Sequence, residues 1–262
     1  MYMSCLLIDV GENPDRPRPG RLWLHNLYHV HQRLCMAFPS ASRKCDDVEF
    51  LKPFEPEDFG NGQVHVTRAE DAGFLFRIEP QFAGRAMILV QSPIKPDWDY
   101  AFHNAGYLLA APSQVKPFDP SFKVGQRLRF RLLANPTRRL SKHSLGANGQ
   151  PIKKWANKEG KGMRVPVPED RLIDWLTRRA EKAAFSVEKE SASILSSYVY
   201  VNKAREENGV RLRSVRYDGT LTVSDPTRFQ NAMLQGIGPG KAFGFGLLSV
   251  IPCRSPLVGE TK

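Results

Sequence analysis

VGQRLRFRLLANP, residues 124–136, alternates strictly between arginine and apolar side chains. Successive side chains of an extended strand point to opposite faces. Arg127, Arg129 and Arg131 therefore line one face, and Leu128, Phe130 and Leu132 the other. Downstream, PEDRLIDWLTRRAEKAAF (168–185) reads as a helix. Pro168 opens it, Glu169 and Asp170 sit at the positive end of its dipole, and Arg178, Arg179 and Lys182 lie near the negative end. Residues 197–202 predict a strand, and residues 211–223 a further strand or a hairpin turning at Asp218-Gly219. DPTRFQNAMLQG (225–236) is a helix stopped by Gly236, and FGLLSVIP (245–252) a last strand. The order is β-α-β-β-α-β, the ferredoxin-like pattern that is also the platform of RNA-recognition domains.

Working outward, the first half reads as a similar unit. Residues 3–10 predict a strand. Residues 21–38 predict a helix entered through the proline-rich NPDRPRPG (13–20). Residues 74–78 and 86–90 are two more strands joined around 80–84, and residues 92–120 a short helix followed by a linker. The expectation is an α+β protein of two units, 1–116 and 117–262.

The chain is 262 residues long, 41% hydrophobic and 25% charged, which places it among globular proteins rather than disordered ones. Its apolar runs are a handful of residues long, too short for a spanning helix. The opening MYMSCLLIDV has no basic lead and reads as a strand, not a signal peptide. Four cysteines without C-x-x-C spacing argue against a zinc site or a secreted disulfide framework and for free thiols in the cytoplasm.

Charge is unevenly placed. Residues 1–116 carry 12 basic and 14 acidic side chains, residues 117–262 carry 26 and 13, and residues 127–164 alone hold 11 basic residues against Glu159. Such a field attracts a polyanion; the alternative is a solvated basic surface. The arginines of the strand form a ladder spaced about 7 Å apart. After it come Arg138, Arg139, Lys142, Lys153, Lys154, Lys158, Lys161 and Arg164 among glycine and asparagine. These suit a basic loop or hairpin that orders on binding.

Three histidines of the first helix differ by phase. At about 100° per residue from Trp23, Leu27, Val30, Leu34 and Phe38 cluster on one buried stripe. His25 and His29 fall on the opposite face. His31 falls at the margin of the stripe, neighbouring Tyr28 at i, i+3. A histidine there either edges the core or reaches a cleft, where its pKa of about 6.5 suits proton transfer.

QGIGPGKAFGFGLLSV (235–250) is neither a P-loop nor a dinucleotide fingerprint, because a helix precedes it and a strand follows. On spacing it is a tight helix-to-strand connection whose amides can also contact phosphate. No metal-ligand spacing stands out. If the chain is a nuclease, its chemistry is expected to need no metal, which RNA permits because its 2′-OH is a built-in nucleophile.

Together, Tyr28-x-x-His31, RLRFRLLANPTRRL (127–140) and GIGPGKAFGFGLLSV (236–250) resemble the CasE family, the CRISPR repeat-processing endoribonucleases of type I-E systems. The resemblance covers nearly the whole chain. It implies tandem ferredoxin-like domains and cleavage of the repeat transcript at the base of a stem-loop, without metal or other cofactor. The products would be a 2′,3′-cyclic phosphate and a 5′-OH, with the guide RNA retained. It places the catalytic histidine at His31 and the assisting tyrosine at Tyr28. RNA binding would fall to Arg33, Arg127, Arg129, Arg131, Arg138, Arg139, Lys153, Lys154, Lys158, Lys161, Arg164, Gly238, Gly240 and Lys241. The implied partners are the repeat stem-loop and the other Cascade subunits, for a protein that is cytoplasmic, off the membrane and monomeric when isolated. Some members carry a lysine five residues after the histidine. Here that position is Met36, which leaves phosphorane stabilisation to Arg33, Lys241 or the second domain. Residues 41–62 read as an added loop. The rival readings are an RNA-binding module without chemistry and, less fitting, a DNA-binding architectural protein.

Overall fold

The first strand, β1 (Tyr2–Asp9), buries Ser4, Leu6 and Ile8 on one face, as alternation demands. It pairs antiparallel with β3 (Arg85–Ser92) on one side and β4 (Gln114–Pro117) on the other, and β2 (Leu75–Pro80) lies beyond β3. The sheet order is β2-β3-β1-β4. Three helices cover one face: α1 (Pro19–His25), α2 (Leu27–Cys35) and α3 (Trp98–Phe102). Leu6, Ile8, Val30, Leu34, Phe38, Phe76, Ile88 and Trp98 form the core between them. The computed structural model describes residues 1–12, 18–38, 73–81, 83–144, 149–154, 156, 160, 162–201 and 209–253. The added loop at 41–62 lies outside the described residues.

Two first-half expectations change. The helix expected over 21–38 is two helices, broken where Asn26 takes an extended backbone (φ −109°, ψ 95°). Its side chain accepts the Tyr28 N–H at 3.1 Å and so caps α2, the competition with helix that asparagine offers. Part of the expected linker is the edge strand β4. Pro117 ends it, and an edge is where a sheet tolerates proline.

The second sheet is built on β5 (Arg127–Ala134), which lies between β11 (Leu248–Pro252) and β10 (Val210–Val223), with β8 (Phe185–Val187) beyond β10. Helices α4 (Leu172–Lys182) and α5 (Pro226–Gln235) cover the face on which Leu128, Phe130, Leu132, Tyr217 and Leu221 are buried. The first half of β10 outruns β5 and pairs with β9 (Ser193–Val201). A two-stranded ribbon, β6 (Thr137–Arg139) with β7 (Arg164–Pro166), branches off after β5.

Here too the structure corrects the sequence reading. β10 runs straight through Asp218-Gly219, with Asp218 opposite Arg131 and Gly219 opposite Phe130. A Cβ on Gly219 would stand 3.2 Å from both Phe130 Cε1 and the Ala192 Cα, so close packing rather than a turn calls for glycine. The strand after α4 is β8, whose Phe185 the sequence pattern assigns to the end of the helix. Ala183-Ala184 continue the helical pattern, but Ala184 has φ 58° and breaks it.

The two sheets meet across β2. Phe76 points into the first core, so Leu75, Arg77 and Glu79 point toward the second half. Arg77 is 4% exposed. Its Nε donates to Glu79 at 2.7 Å, and its Nη1 donates to the carbonyls of Leu247 at 3.1 Å and Arg131 at 3.4 Å. Arg131 in turn pairs with Glu79 at 3.3 Å and Asp218 at 2.6 Å. Burial lowers the Arg77 pKa, and the Glu79 carboxylate opposes that shift. Gln91 adds a second tie, donating to the Met233 carbonyl at 2.8 Å.

Arg77→Leu should destabilise the protein by about 3 kcal/mol, the low end for breaking a buried pair, because Arg131 still reaches Glu79. Arg77→Leu/Glu79→Leu should recover most of that loss. Urea midpoints of the three proteins decide. An equal loss in the double variant would mean that the bonds to the Leu247 and Arg131 carbonyls dominate, not the pairing with Glu79.

Candidate active site at the meeting of a helix and a glycine-rich loop

The capping of α2 by Asn26 puts Tyr28 in its first turn and His31 one turn later. Val30, Leu34 and Cys35 are buried, His25 and His29 are exposed, and His31 is half-buried at the margin of the stripe. The His31 Nε2 lies 3.6 Å from the Cys35 Sγ. Its ring centre is 5.3 Å from that of Phe74 and 6.4 Å from that of Phe76, the latter nearly parallel at 18°. Tyr28 is half-buried on the same helix.

The glycine-rich loop comes to this helix from the far end of the chain. Asp225 caps α5 by accepting the Arg228 N–H at 3.0 Å, and the helix ends at Gly236. The loop is pinned by Ile237 N–H to the Gly246 carbonyl at 2.9 Å and by Gly246 N–H to the Leu133 carbonyl at 2.8 Å. At its tip Lys241–Phe243 form a 3-10 turn that packs on α2 and β2. Gly244, just after the turn, has φ 80°, and a Cβ there would stand 3.2 Å from the Phe76 ring. Both the backbone angle and the tight space disfavour a side chain. The ring beneath Gly244 is thus the ring that stacks on His31.

Asn135, from the end of β5, is buried, and its Cβ lies 3.7 Å from where a Gly240 Cβ would stand. The three segments singled out in the sequence therefore converge: the Tyr28/His31 helix, the end of the arginine strand and the glycine run. Lys241 is exposed on the turn that abuts α2.

The other cations divide. Arg33 donates to the Ala101 carbonyl at 3.0 Å and to Asn104 at 2.8 Å, tying α2 to the end of α3. Burial lowers its pKa. In the ladder, Arg127 pairs with Glu188 at 2.7 Å and Arg131 with Asp218 and Glu79. The Asp218 hydrogen bond is the main cause that raises the Arg131 pKa. Arg129 is exposed and makes no ion pair among the described residues. Arg138 and Arg139 on β6, Arg164 on β7, Lys153 and Lys154 are exposed, while Lys158 and Lys161 lie outside the described residues.

One cluster escaped the sequence reading. A pocket of about 480 Å³ is lined by Arg138, Arg139, Arg178, Arg179, Lys182 and Trp175, with Thr137 and the single acid Glu181. Gly238 lies over the Trp175 ring, where a Cβ would stand 3.1 Å from it. Burial lowers the Arg179 pKa, and Arg164 and Arg178 lower it further. In the sequence these α4 cations are accounted for by the helix dipole. The available signal was their number, since three of them crowd the last five residues of α4.

A family model described as CRISPR associated protein matches residues 1–252. The CRISPR-associated endoribonuclease Cse3 of Thermus thermophilus is 35% identical over 200 residues, 71% of this chain and 85% of that protein. The CRISPR system Cascade subunit CasE of Escherichia coli is 26% identical over 96% of this chain and 100% of its own length. A solved structure of Thermus thermophilus Cse3, bound to an RNA representing a pre-cleavage complex, superposes with a TM-score of 0.65 at 28% identity. That match covers 96% of this chain and 100% of that one.

The shared ring gives a direct test of the site's assembly. Gly244→Ala should push the loop off Phe76 and shift the His31 imidazole resonances in a ¹H–¹³C spectrum, leaving those of His25 and His29 in place. An unmoved His31 would disconnect the loop from the helix.

Proposed function

The chain belongs to the CasE family of CRISPR-associated proteins, and from that premise we propose that it is a metal-independent endoribonuclease that cuts CRISPR repeat RNA at the base of its stem-loop. The observation that carries the reading is the convergence on Phe76, which joins the half-buried His31 to the glycine-rich loop. The central strands, β1 and β3 in the first sheet and β5 and β10 in the second, support the reading of tandem ferredoxin-like domains over 1–116 and 117–262, with β9 an addition to the second.

In the proposed reaction the ribose 2′-oxygen attacks the adjacent phosphorus, the P–O5′ bond breaks, and a 2′,3′-cyclic phosphate and a 5′-OH result. His31 donates a proton to the departing 5′-oxygen or accepts that of the 2′-OH. A positioned group of this kind contributes about 10²–10⁴-fold. Tyr28 orients the phosphate or ribose. Of the candidate cations for the developing charge, Lys241 is favoured over Arg33, because the loop carries Lys241 to α2 while Arg33 is bonded to α3. Arg129, Arg138, Arg139, Arg164, Lys153 and Lys154 hold the stem through its phosphates, with Gly238 and Gly240 shaping the loop beside it. The two paired ladder arginines, Arg127 and Arg131, position the strand as well as adding positive field. After cleavage the protein keeps the stem-loop and joins the other Cascade subunits in the cytoplasm, as a monomer before assembly. Among the described residues no helix is long and apolar enough to cross a membrane.

Single-turnover cleavage of the repeat RNA in excess EDTA tests the chemistry. His31→Ala should slow it at least about 10²-fold with little change in affinity, whereas His25→Ala and His29→Ala should cut normally. Loss of wild-type activity in chelator, or a dead His29→Ala beside an active His31→Ala, would sink the scheme. A protein that only grips RNA would bind and never cut.

Salt dependence tests the binding face. Each phosphate contact contributes about 0.7–0.9 to the slope of log K against log salt. Arg129→Ala should weaken binding and flatten the slope by about one contact, and Arg127→Ala, whose charge Glu188 already meets, should do less. Equal effects from both would show that ion pairing within the protein does not select the contacts.

A further inference from the structure

A groove of about 570 Å³ runs between the two halves beside α1. The first half lines it with Arg21 and His25 of α1 and Arg85 of β3, and the second half with Tyr198 and Tyr200 of β9. No Asp or Glu is among the described residues that line it. Tyr198 and Tyr200, two residues apart, share one face of β9 and are 45% and 64% exposed. In the β9–β10 register Tyr200 lies opposite Arg211, whose guanidinium carbon sits 3.6 Å from the centre of the Tyr198 ring. The other edge of β9 has no strand partner among the described residues, and β9 packs beside α2, the helix of Tyr28 and His31.

Exposed aromatic faces interleaved with cations, and no acid among them, match the chemistry of unpaired nucleic acid. Single strands offer free base faces for stacking and phosphates for the arginines, whereas a duplex has its bases stacked already. An acidic or apolar peptide would use the cations or the rings, but not both. We propose that this groove binds the unpaired ribonucleotides adjoining the stem, with bases on Tyr198 and Tyr200 and phosphates near Arg21 and Arg85. The proposal rests on the function inferred above. It adds a second recognition surface, one that reads single strand rather than stem and leads the strand past the catalytic helix.

The test compares affinities for two uncleavable repeat hairpins, 2′-deoxy at the scissile position, with and without unpaired flanks on either side. In the wild type the flanks should tighten binding about fivefold, the low end of what one stacked base contributes. Tyr200→Ala and Tyr198→Ala/Tyr200→Ala should lose that gain with bare-hairpin affinity unchanged, which also shows that the variants are folded. Tyr200→Phe should keep it, and a 2-aminopurine in the flank should be quenched by wild type and Tyr200→Phe only. An equal gain in wild type and variants, or none in either, overturns the groove alone. Intact flank binding with loss of assembly with other Cascade subunits would assign the β9 edge to a protein strand and overturn it too. Failure of the wild type to bind even the bare hairpin overturns the function inferred above, and this proposal with it.

Discussion

The guanidinium of Arg77 donates to the carbonyl of Leu247, and the position of the candidate site follows from that bond. Leu247 is the residue at which the glycine-rich loop becomes β11. Alternation along β2 then does the rest. Arg77 faces the second half, so Phe76 must face the first, and Phe76 is the ring on which both His31 and Gly244 rest. Two adjacent residues of one strand thus hold the interface and the site in a single register. Burying such a charge costs free energy unless its hydrogen bonds are met. Here Glu79 and two carbonyls meet them, and an apolar substitute would offer no comparable constraint on direction.

Much of this was legible in the residues, for identifiable reasons. The alternation of residues 127–132 placed three arginines out and three apolar residues in, because one strand face is core and the rule is local. Helical phase likewise separated His31 from His29 within α2, since the buried Val30 and Leu34 set the stripe, whereas His25 lies on α1 across the break at Asn26 and its exposure does not follow from that phase. The break at Asn26 was not legible: the residues around it suit helix, and only the cap shows where one helix ends. β8 was hidden because three residues following two alanines carry no period of their own.

The charges were the least legible. Arg127, Arg129 and Arg131 look equivalent in sequence, yet Glu188, Asp218 and Glu79, distant in the chain, pair with two and leave the third without an ion pair among the described residues. Ion pairing is tertiary, and no local pattern announces it. Arg77 and Glu79 were missed for the converse reason. Two charged side chains on a strand face suggest solvent, and only the second sheet makes that face an interior.

Gly244 touches a ring 168 positions earlier in the chain, and about two-thirds of the chain lies between them. Contacts of such long sequence separation form late, because chain entropy must be overcome before they stabilise anything. Each sheet can gather around its own apolar cluster first. The loop seats itself on Phe76 only when both are in place. A nascent or half-folded chain therefore has its histidine but not the surroundings of that histidine, so the candidate site arrives with the finished fold and not before it.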